Sequence, residues 1–247
     1  MSVETTVIIP TLDDAPTLEA TVEQLNQVLA VGGSTAEVLV VDAGSRDCTL
    51  ELAGELADRF PLLHTRVLEQ DRSQSGFGSV LRLGMAYAQG RFCVIVMPDG
   101  RDPLELVPEM IKELRGGAHQ VLCSRYEQSD GGPHALPDRR FALYQSIYRR
   151  AVHTLLGVDI PDSTYGFRAF NRTFVQALGI TGRRMSVCPE ITFKVLLAGG
   201  KTVRVAGAPT GPMVREQSKF RLGNELGGYG LTLLRATMHR RLGVRWF

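Results

Sequence analysis

Two textures of apolar residues alternate along the first hundred positions. Short continuous runs, Thr6–Pro10, Glu37–Asp42, Leu62–Leu68 and Phe92–Met97, are rich in valine, isoleucine and leucine. Between them, apolar residues recur three or four apart. The first texture predicts buried strands and the second predicts amphipathic helices. Helices are expected near 16–30, 47–59 and 79–89. In the first, Leu18, Val22, Leu25 and Leu29 share a face, and Pro16 suits the opening turn. Strand–helix alternation predicts βαβ units: an α/β fold with a mostly parallel central sheet flanked by helices.

In such a sheet, ligands sit beyond the carboxyl ends of the strands. The polar segments following each strand are therefore the candidates for chemistry: Thr11–Asp14, Asp42–Asp47, Asp71–Ser75 and Asp99–Asp102. Past residue 103 the pattern predicts a helix at 104–115, a strand at 120–124, a helix at 139–156, a strand at 201–205 and a final helix at 225–242. Two polar stretches, Glu127–Pro137 and Gly211–Gly223, read as long loops, which in compact domains are commonly functional. No internal repeat or low-complexity linker interrupts the chain. The expected organisation is one catalytic domain over 1–223 and a basic amphipathic helical extension over 224–247.

Composition narrows the class. The net charge of +2 implies no bulk polyanion partner, and no nucleic acid is expected. Cys48, Cys93, Cys123 and Cys188 form no zinc-type spacing and read as structural thiols. No leader pattern and no bilayer-spanning run is visible, so the expected location is cytoplasmic, soluble or peripheral to the membrane face. Two basic segments stand out. Leu143, Ile147, Ala151 and Leu155 run beside Arg139, Arg149 and Arg150, and Trp246 and Phe247 end a stretch with five basic side chains. Such segments suit a bilayer interface, an oligomer contact, or packing on the core.

Six segments occur in an order that resembles family 2 glycosyltransferases, within them the dolichol- and polyprenyl-phosphate mannose synthase group. They are Val7-Ile-Ile-Pro-Thr11, Val41-Asp42-x-Gly-Ser-x-Asp47, Gly76-Phe-Gly78, Cys123-Ser-Arg-Tyr126, Asp162-x-Thr-x-Gly-Phe-Arg168 and Arg215-x-x-Ser-Lys219. The resemblance implies a GT-A fold and inverting transfer from a nucleoside diphosphate sugar to polyprenyl phosphate. It places Pro10, Leu12, Asp14, Asp42 and Gly76 at the nucleotide. Asp47 reads instead as a helix cap.

The family's metal motif is altered. Its Asp-x-Asp corresponds to Met97-Pro98-Asp99, its next polar ligand to Arg101, and the second Asp after its second strand to Ala43. Asp99 remains as the one expected ligand for Mg²⁺ or Mn²⁺. A thioether does not ligate a hard cation and a guanidinium repels one. Three readings stay open: Asp99 pairs with Asp102; Arg101 neutralises the diphosphate with weak or no metal dependence; or the chain is a non-catalytic nucleotide-binding relative.

On the acceptor side the resemblance gathers Arg125, Arg140, Arg215, Ser218 and Lys219 around a phosphate. A phosphate nucleophile is already anionic, so positioning and charge cancellation suffice. A soluble hydroxyl acceptor would instead require Glu190 or Asp102 as base. Gly166, Phe167 and Arg168 read as turn-shaping residues, and Tyr165 replaces the small residue usual in that turn.

Overall fold

The computed structural model describes residues 3–31, 35–74, 76–125, 139–207 and 222–247. The chain begins β1 (Thr5–Thr11), α1 (Ala15–Val31), β2 (Ala36–Asp42), α2 (Thr49–Arg59), β3 (Arg66–Glu69), α3 (Phe77–Tyr87) and β4 (Phe92–Ile95). It continues α4 (Val107–Arg115), β5 (Gln120–Ser124), α5 (Arg139–Leu156), β6 (Arg168–Asn171), α6 (Arg172–Ala177), α7 (Val187–Leu197), β7 (Thr202–Ala206) and α8 (Leu222–Leu242).

The strands form one sheet in the order β3-β2-β1-β4-β6-β5-β7. Pairings are parallel except those of β6, which runs antiparallel between β4 and β5. The mostly parallel α/β sheet expected from the sequence is present. Strand residues alternate between two cores. Val7, Ile9, Val38, Val40 and Val94 meet Leu18, Val22, Leu25 and Leu29 of α1 on one face. Ile8, Leu39, Val41, Cys93 and Ile95 meet α3 and α7 on the other. Burial on both faces is why these strands read as unbroken apolar runs.

Three local differences from the sequence reading have physical causes. The run Leu62–Leu68 is not one strand. Pro61, with fixed φ and no N–H, opens a 3₁₀ turn over Pro61–Leu63, and His64 takes a left-handed φ of 45° before β3 begins. The strand β4 stops at Ile95, because the Asp102 carboxylate accepts the Met97 N–H and turns the chain. The strand β6 and helix α6 were absent from the pattern. Arg168-Ala-Phe-Asn171 is short and half polar, and α6 starts only because the Asn171 side chain caps it, accepting from Phe174 N at 3.2 Å.

Tyr229, Leu233 and Ala236 of α8 share a third core with Tyr148, Val152 and Leu156 of α5 and Phe193 of α7. The stripe of α5 facing inward is thus Tyr148–Val152–Leu156, whereas Leu143 and Ile147 are 63% and 60% exposed. Trp246 and Phe247 fold back onto α7, where their rings lie 5.0 and 5.6 Å from the buried Lys194 ammonium. This packing gives the partly buried aromatic pair partners within the chain.

Candidate functional site at the carboxyl edge of the sheet

The chain builds outward from β1 through β2 to β3, then returns to add β4 on the other side of β1. The switch in direction falls between β1 and β4, the position where open α/β sheets form their ligand crevice. Pairing of β1 with β4 ends at Ile8 with Ile95, and Pro10, which needs no partner for a missing N–H, lies just beyond. The segments 12–14, 42–47, 72–74 and 97–102 all leave the sheet at this edge. Because β6 is antiparallel, the turn 162–167 that precedes it arrives at the same edge, facing the end of β5 and Arg125.

On the β1–β2 side the acidic residues tie the loops to one another. Asp42 is 1% exposed. Its carboxylate accepts from Thr11 Oγ1 (3.1 Å), Gly44 N (3.0 Å), Ser45 N (2.8 Å) and Ser45 Oγ (2.5 Å). These donors fill its acceptor positions, so in this structure it shapes the turn on which a nucleoside would rest. Asp13, at a positive φ of 52°, accepts from Arg46 N and from Arg72 Nη2. Asp14 accepts from Leu12 N at 2.8 Å. Asp47 accepts from Thr49 N and Thr49 Oγ1 at the start of α2, which holds its carboxyl below the ordinary value despite the opposing effect of burial. Gly76 has φ 142°, and a Cβ there would lie 2.4 Å from the Arg183 carbonyl oxygen. Glycine is thus required where α3 begins against the 181–183 loop.

The turn after β4 carries the altered motif. Asp99 Oδ2 accepts from Arg101 Nε (3.0 Å) and Nη2 (2.8 Å), and the Arg101 side chain is a quarter exposed. Met97 packs toward Gly166, where a Cβ would come within 2.9 Å of its sulfur. Asp102 is 3% exposed and spends both oxygens internally, on Met97 N (2.7 Å) and Tyr165 Oη (2.6 Å). Burial pushes its carboxyl up to about 7. A divalent cation asks for two or more accessible carboxylates or comparable oxygens. Here one carboxylate is paired with a guanidinium, the second is buried and already bonded, and the third position is a thioether. No cluster of three metal-ligating side chains occurs among the described residues. The described side chains of this turn do not make the set of oxygens that Mg²⁺ or Mn²⁺ takes, and the Asp102 carboxylate faces Tyr165 rather than Asp99.

On the far side of the turn, Arg125 Nε and Nη2 donate to Asp162 at 2.7 and 3.1 Å, and Nη2 donates to Thr164 Oγ1 at 2.6 Å. The Arg125 side chain is 16% exposed and that of Asp162 fully buried. Burial raises the Asp162 carboxyl, but the guanidinium and the Thr164 donors outweigh it and hold it below the ordinary value. Arg168 is 1% exposed and donates to the carbonyls of Ser163, Tyr165 and Cys188, bracing the turn. Glu190, 3% exposed, accepts from Thr181 N (3.0 Å) and Gly182 N (2.6 Å) and pairs with Lys194 at 3.0 Å. It fastens a loop and is not presented as a base.

Of the residues expected from the sequence, Pro10, Leu12, Asp14, Asp42, Asp99, Arg101 and Arg125 all lie on segments leaving this edge, and Gly76 lies at the α3 N-terminus beside it. Arg140 is in the first turn of α5, but its side chain, like Arg215, Ser218, Lys219 and the two long loops, falls outside the described residues. Sequence reasoning missed the partners. The motif around Asp162 does not reveal that it pairs with Arg125, and the sequence around Asp102 suggests a base or a ligand rather than a partner for Tyr165. The signal for both was already present: a carboxylate in an apolar stretch must be paired.

Residues 6–179, well over half the chain, match the model of "Glycosyl transferase family 2". The chain is 27% identical over 218 residues to a dolichol-phosphate mannosyltransferase of Pyrococcus furiosus, covering 87% of this chain and 58% of that one. It is 31% identical over 186 residues to a polyprenol monophosphomannose synthase of Mycolicibacterium smegmatis, covering 72% and 65% respectively. It spans between 50% and 58% of the length of the first curated relatives it matches. Among solved structures it is similar to glucosyl-3-phosphoglycerate synthase from Mycobacterium tuberculosis, determined with Mn²⁺, uridine diphosphate and glucosyl-3-phosphoglycerate. That match has a TM-score of 0.67 at 18% identity over 96% of this chain and 79% of that one, a likeness of fold. With that match over most of its length and with this sheet and switch point, the chain belongs to glycosyl transferase family 2 and has the GT-A fold.

Proposed function

We propose that this protein transfers a sugar from a nucleoside diphosphate sugar to a phosphate acceptor, polyprenyl phosphate, with inversion and without a divalent metal. The observation that carries the reading is the state of its carboxylates. Glu190 and Asp102, on which a hydroxyl acceptor would draw for a base, are buried with their oxygens hydrogen-bonded. A phosphate oxygen needs no base, and the reaction then rests on orientation and on cancelling charge.

In this mechanism Leu12–Asp14 and the turn held by Asp42 seat the nucleoside. Arg101 exchanges its bond to Asp99 for the diphosphate oxygens, which a guanidinium matches bidentately. Negative charge developing on the departing nucleoside diphosphate is met by that fixed cation. The acceptor phosphate attacks the anomeric carbon from the opposite side, guided by Arg140, Arg215, Ser218 and Lys219. Arg125 acts one step back, fixing the turn beside which the acceptor lies.

The surface supports a lipid-borne acceptor. No described helix is long and apolar enough to cross a membrane. Leu143 and Ile147 of α5 and Leu226, Leu231, Leu234 and Leu242 of α8 are nonetheless exposed, with exposed Arg149, Arg150, Arg240 and Arg241 on the same two helices. Apolar side chains beside cations suit a peripheral seat in an anionic interface. The test is a panel of nucleotide sugars incubated with short polyprenyl phosphate or with soluble sugars and glycerate phosphates, with and without EDTA. Transfer to polyprenyl phosphate that persists in EDTA is expected. Transfer only to hydroxyl acceptors, or none on any donor, would overturn the proposal.

A further inference from the structure

Tyr165 and Asp102 occupy two sides of the crevice and meet in its floor. The Tyr165 hydroxyl donates to Asp102 Oδ1 at 2.6 Å, and Asp102 Oδ2 accepts from the Met97 N–H at 2.7 Å. Tyr165 is 7% exposed, and its ring lies under Arg125, 5.2 Å from the guanidinium carbon. Arg125 is locked by Asp162 and Thr164, and Thr164 Oγ1 also accepts from Gln145 of α5 at 3.0 Å. A continuous line therefore runs from α5, through the 162–165 turn, to the backbone of Met97. From there it is two residues to Asp99 and four to Arg101.

The turn Met97–Asp102 needs such an anchor. Gly100 sits at φ 68°, and further ties to the turn include a 3.2 Å bond from Thr21 Oγ1 to the Pro98 carbonyl and the Asp99–Arg101 pair. An ion shared between protein carboxylates and a diphosphate would fix the turn on binding, and the described side chains of this turn are not a set that would hold one. A cation on a turn free to shift by an ångström loses much of its electrostatic advantage, since that advantage depends on preorganisation.

We infer that Tyr165 is a positioning residue: its hydroxyl, through Asp102, holds the turn bearing Arg101 at the height required by the donor diphosphate and ties it to the acceptor-side turn. The inference rests on the proposed glycosyl transfer and names what replaces the metal as the tether of that turn. The ring of Tyr165 packs the core, whereas its hydroxyl serves the donor site, so the two roles separate in Tyr165→Phe.

The experiment titrates UDP and GDP separately, and farnesyl phosphate as acceptor probe, into the wild type and Tyr165→Phe in the presence of EDTA. The expected result is at least tenfold weaker binding of the nucleotide that the wild type accepts, with farnesyl phosphate affinity unchanged within twofold. Since Tyr165→Phe leaves a buried oxygen of Asp102 without its donor, the double variant Tyr165→Phe/Asp102→Asn provides a second folded test and should show the same loss for the nucleotide, no larger. Equal nucleotide affinity in wild type and Tyr165→Phe would overturn the positioning role while leaving the proposed transfer standing. Equal weakening of both ligands would also overturn it, as the mark of a merely structural residue. A wild type that binds neither nucleotide would overturn both.

Discussion

Replacing Arg125 with methionine keeps an aliphatic stem over Tyr165 and removes the guanidinium. Asp162 then keeps the Thr164 N and Oγ1 donors, each at 3.0 Å, and loses two charge-assisted bonds at 2.7 and 3.1 Å. Its side chain is fully buried. Removing one partner of a buried ion pair costs about 3–5 kcal/mol, because the remaining charge stays desolvated. The surviving Thr164 donors place the expected loss near the lower end, about 3 kcal/mol. For a chain of this size that lowers the thermal midpoint by about 6–12 °C, at about 2–4 °C per kcal/mol. In Arg125→Met/Asp162→Asn the orphaned charge is gone, and about 2 kcal/mol of the two single losses should be recovered as coupling. Acid adds a second signature. The folded Asp162 carboxyl lies below its unfolded value, so it contributes stability above the unfolded value and loses it as pH falls through the folded one. The gap between wild type and Arg125→Met should accordingly narrow in acid. Urea titration at neutral and acidic pH measures both effects. A loss under about 1 kcal/mol, with additive singles, would refute the claim that Arg125 holds this turn.

Asp102 behaves in the opposite sense. Its folded carboxyl is pushed up to about 7 by burial, so its contribution is complete below the unfolded value of about 3.9 and is lost as pH rises through about 7; a thermal scan should show Asp102→Asn with a flatter profile than wild type across about pH 5–8. Gly78→Ala places a Cβ 2.3 Å from the Gly182 carbonyl oxygen and should cost about 1–3 kcal/mol by forcing the α3 start away from its loop, as read by urea unfolding. Leu231→Glu/Leu234→Glu, at two side chains about half exposed, should leave stability within about 0.5 kcal/mol yet abolish co-flotation with anionic vesicles while sparing transfer to a short, detergent-dispersed acceptor; unchanged flotation would count against the interfacial role of α8.

How much of this was legible before the structure depends on what each feature rests upon. The central strands β1, β2 and β4 declared themselves, since burial on both faces writes an apolar run into the sequence, whereas the half-buried edge strand β3 was misplaced; the boundaries of β5 and α5 match the pattern residue for residue. The strand β6 did not, because Arg168 and Asn171 at its ends are polar for reasons elsewhere: one braces the turn and the other caps α6. The crevice was legible from the carboxylates and arginines at strand ends, but their roles were not. Asp42 and Arg125 look like ligand-binding side chains in one dimension. In three, Asp42 answers to Thr11 and Ser45, and Arg125 to Asp162, which lies 37 positions away. A motif records which residues are needed together, not whether they hold a substrate or hold each other.

In the proposed mechanism, Arg101 on a preorganised turn takes the place of a metal at the donor diphosphate. The most direct measurement is a single-turnover assay of sugar transfer to polyprenyl phosphate in excess EDTA, comparing wild type with Arg101→Gln. The wild type should turn over at the same rate with and without the chelator, and Arg101→Gln should be slower by about 10²–10³-fold, the range for removing one preorganised charge partner of a transition state. Wild-type turnover abolished by EDTA and restored by Mn²⁺, with Arg101→Gln as active as wild type, would contradict it.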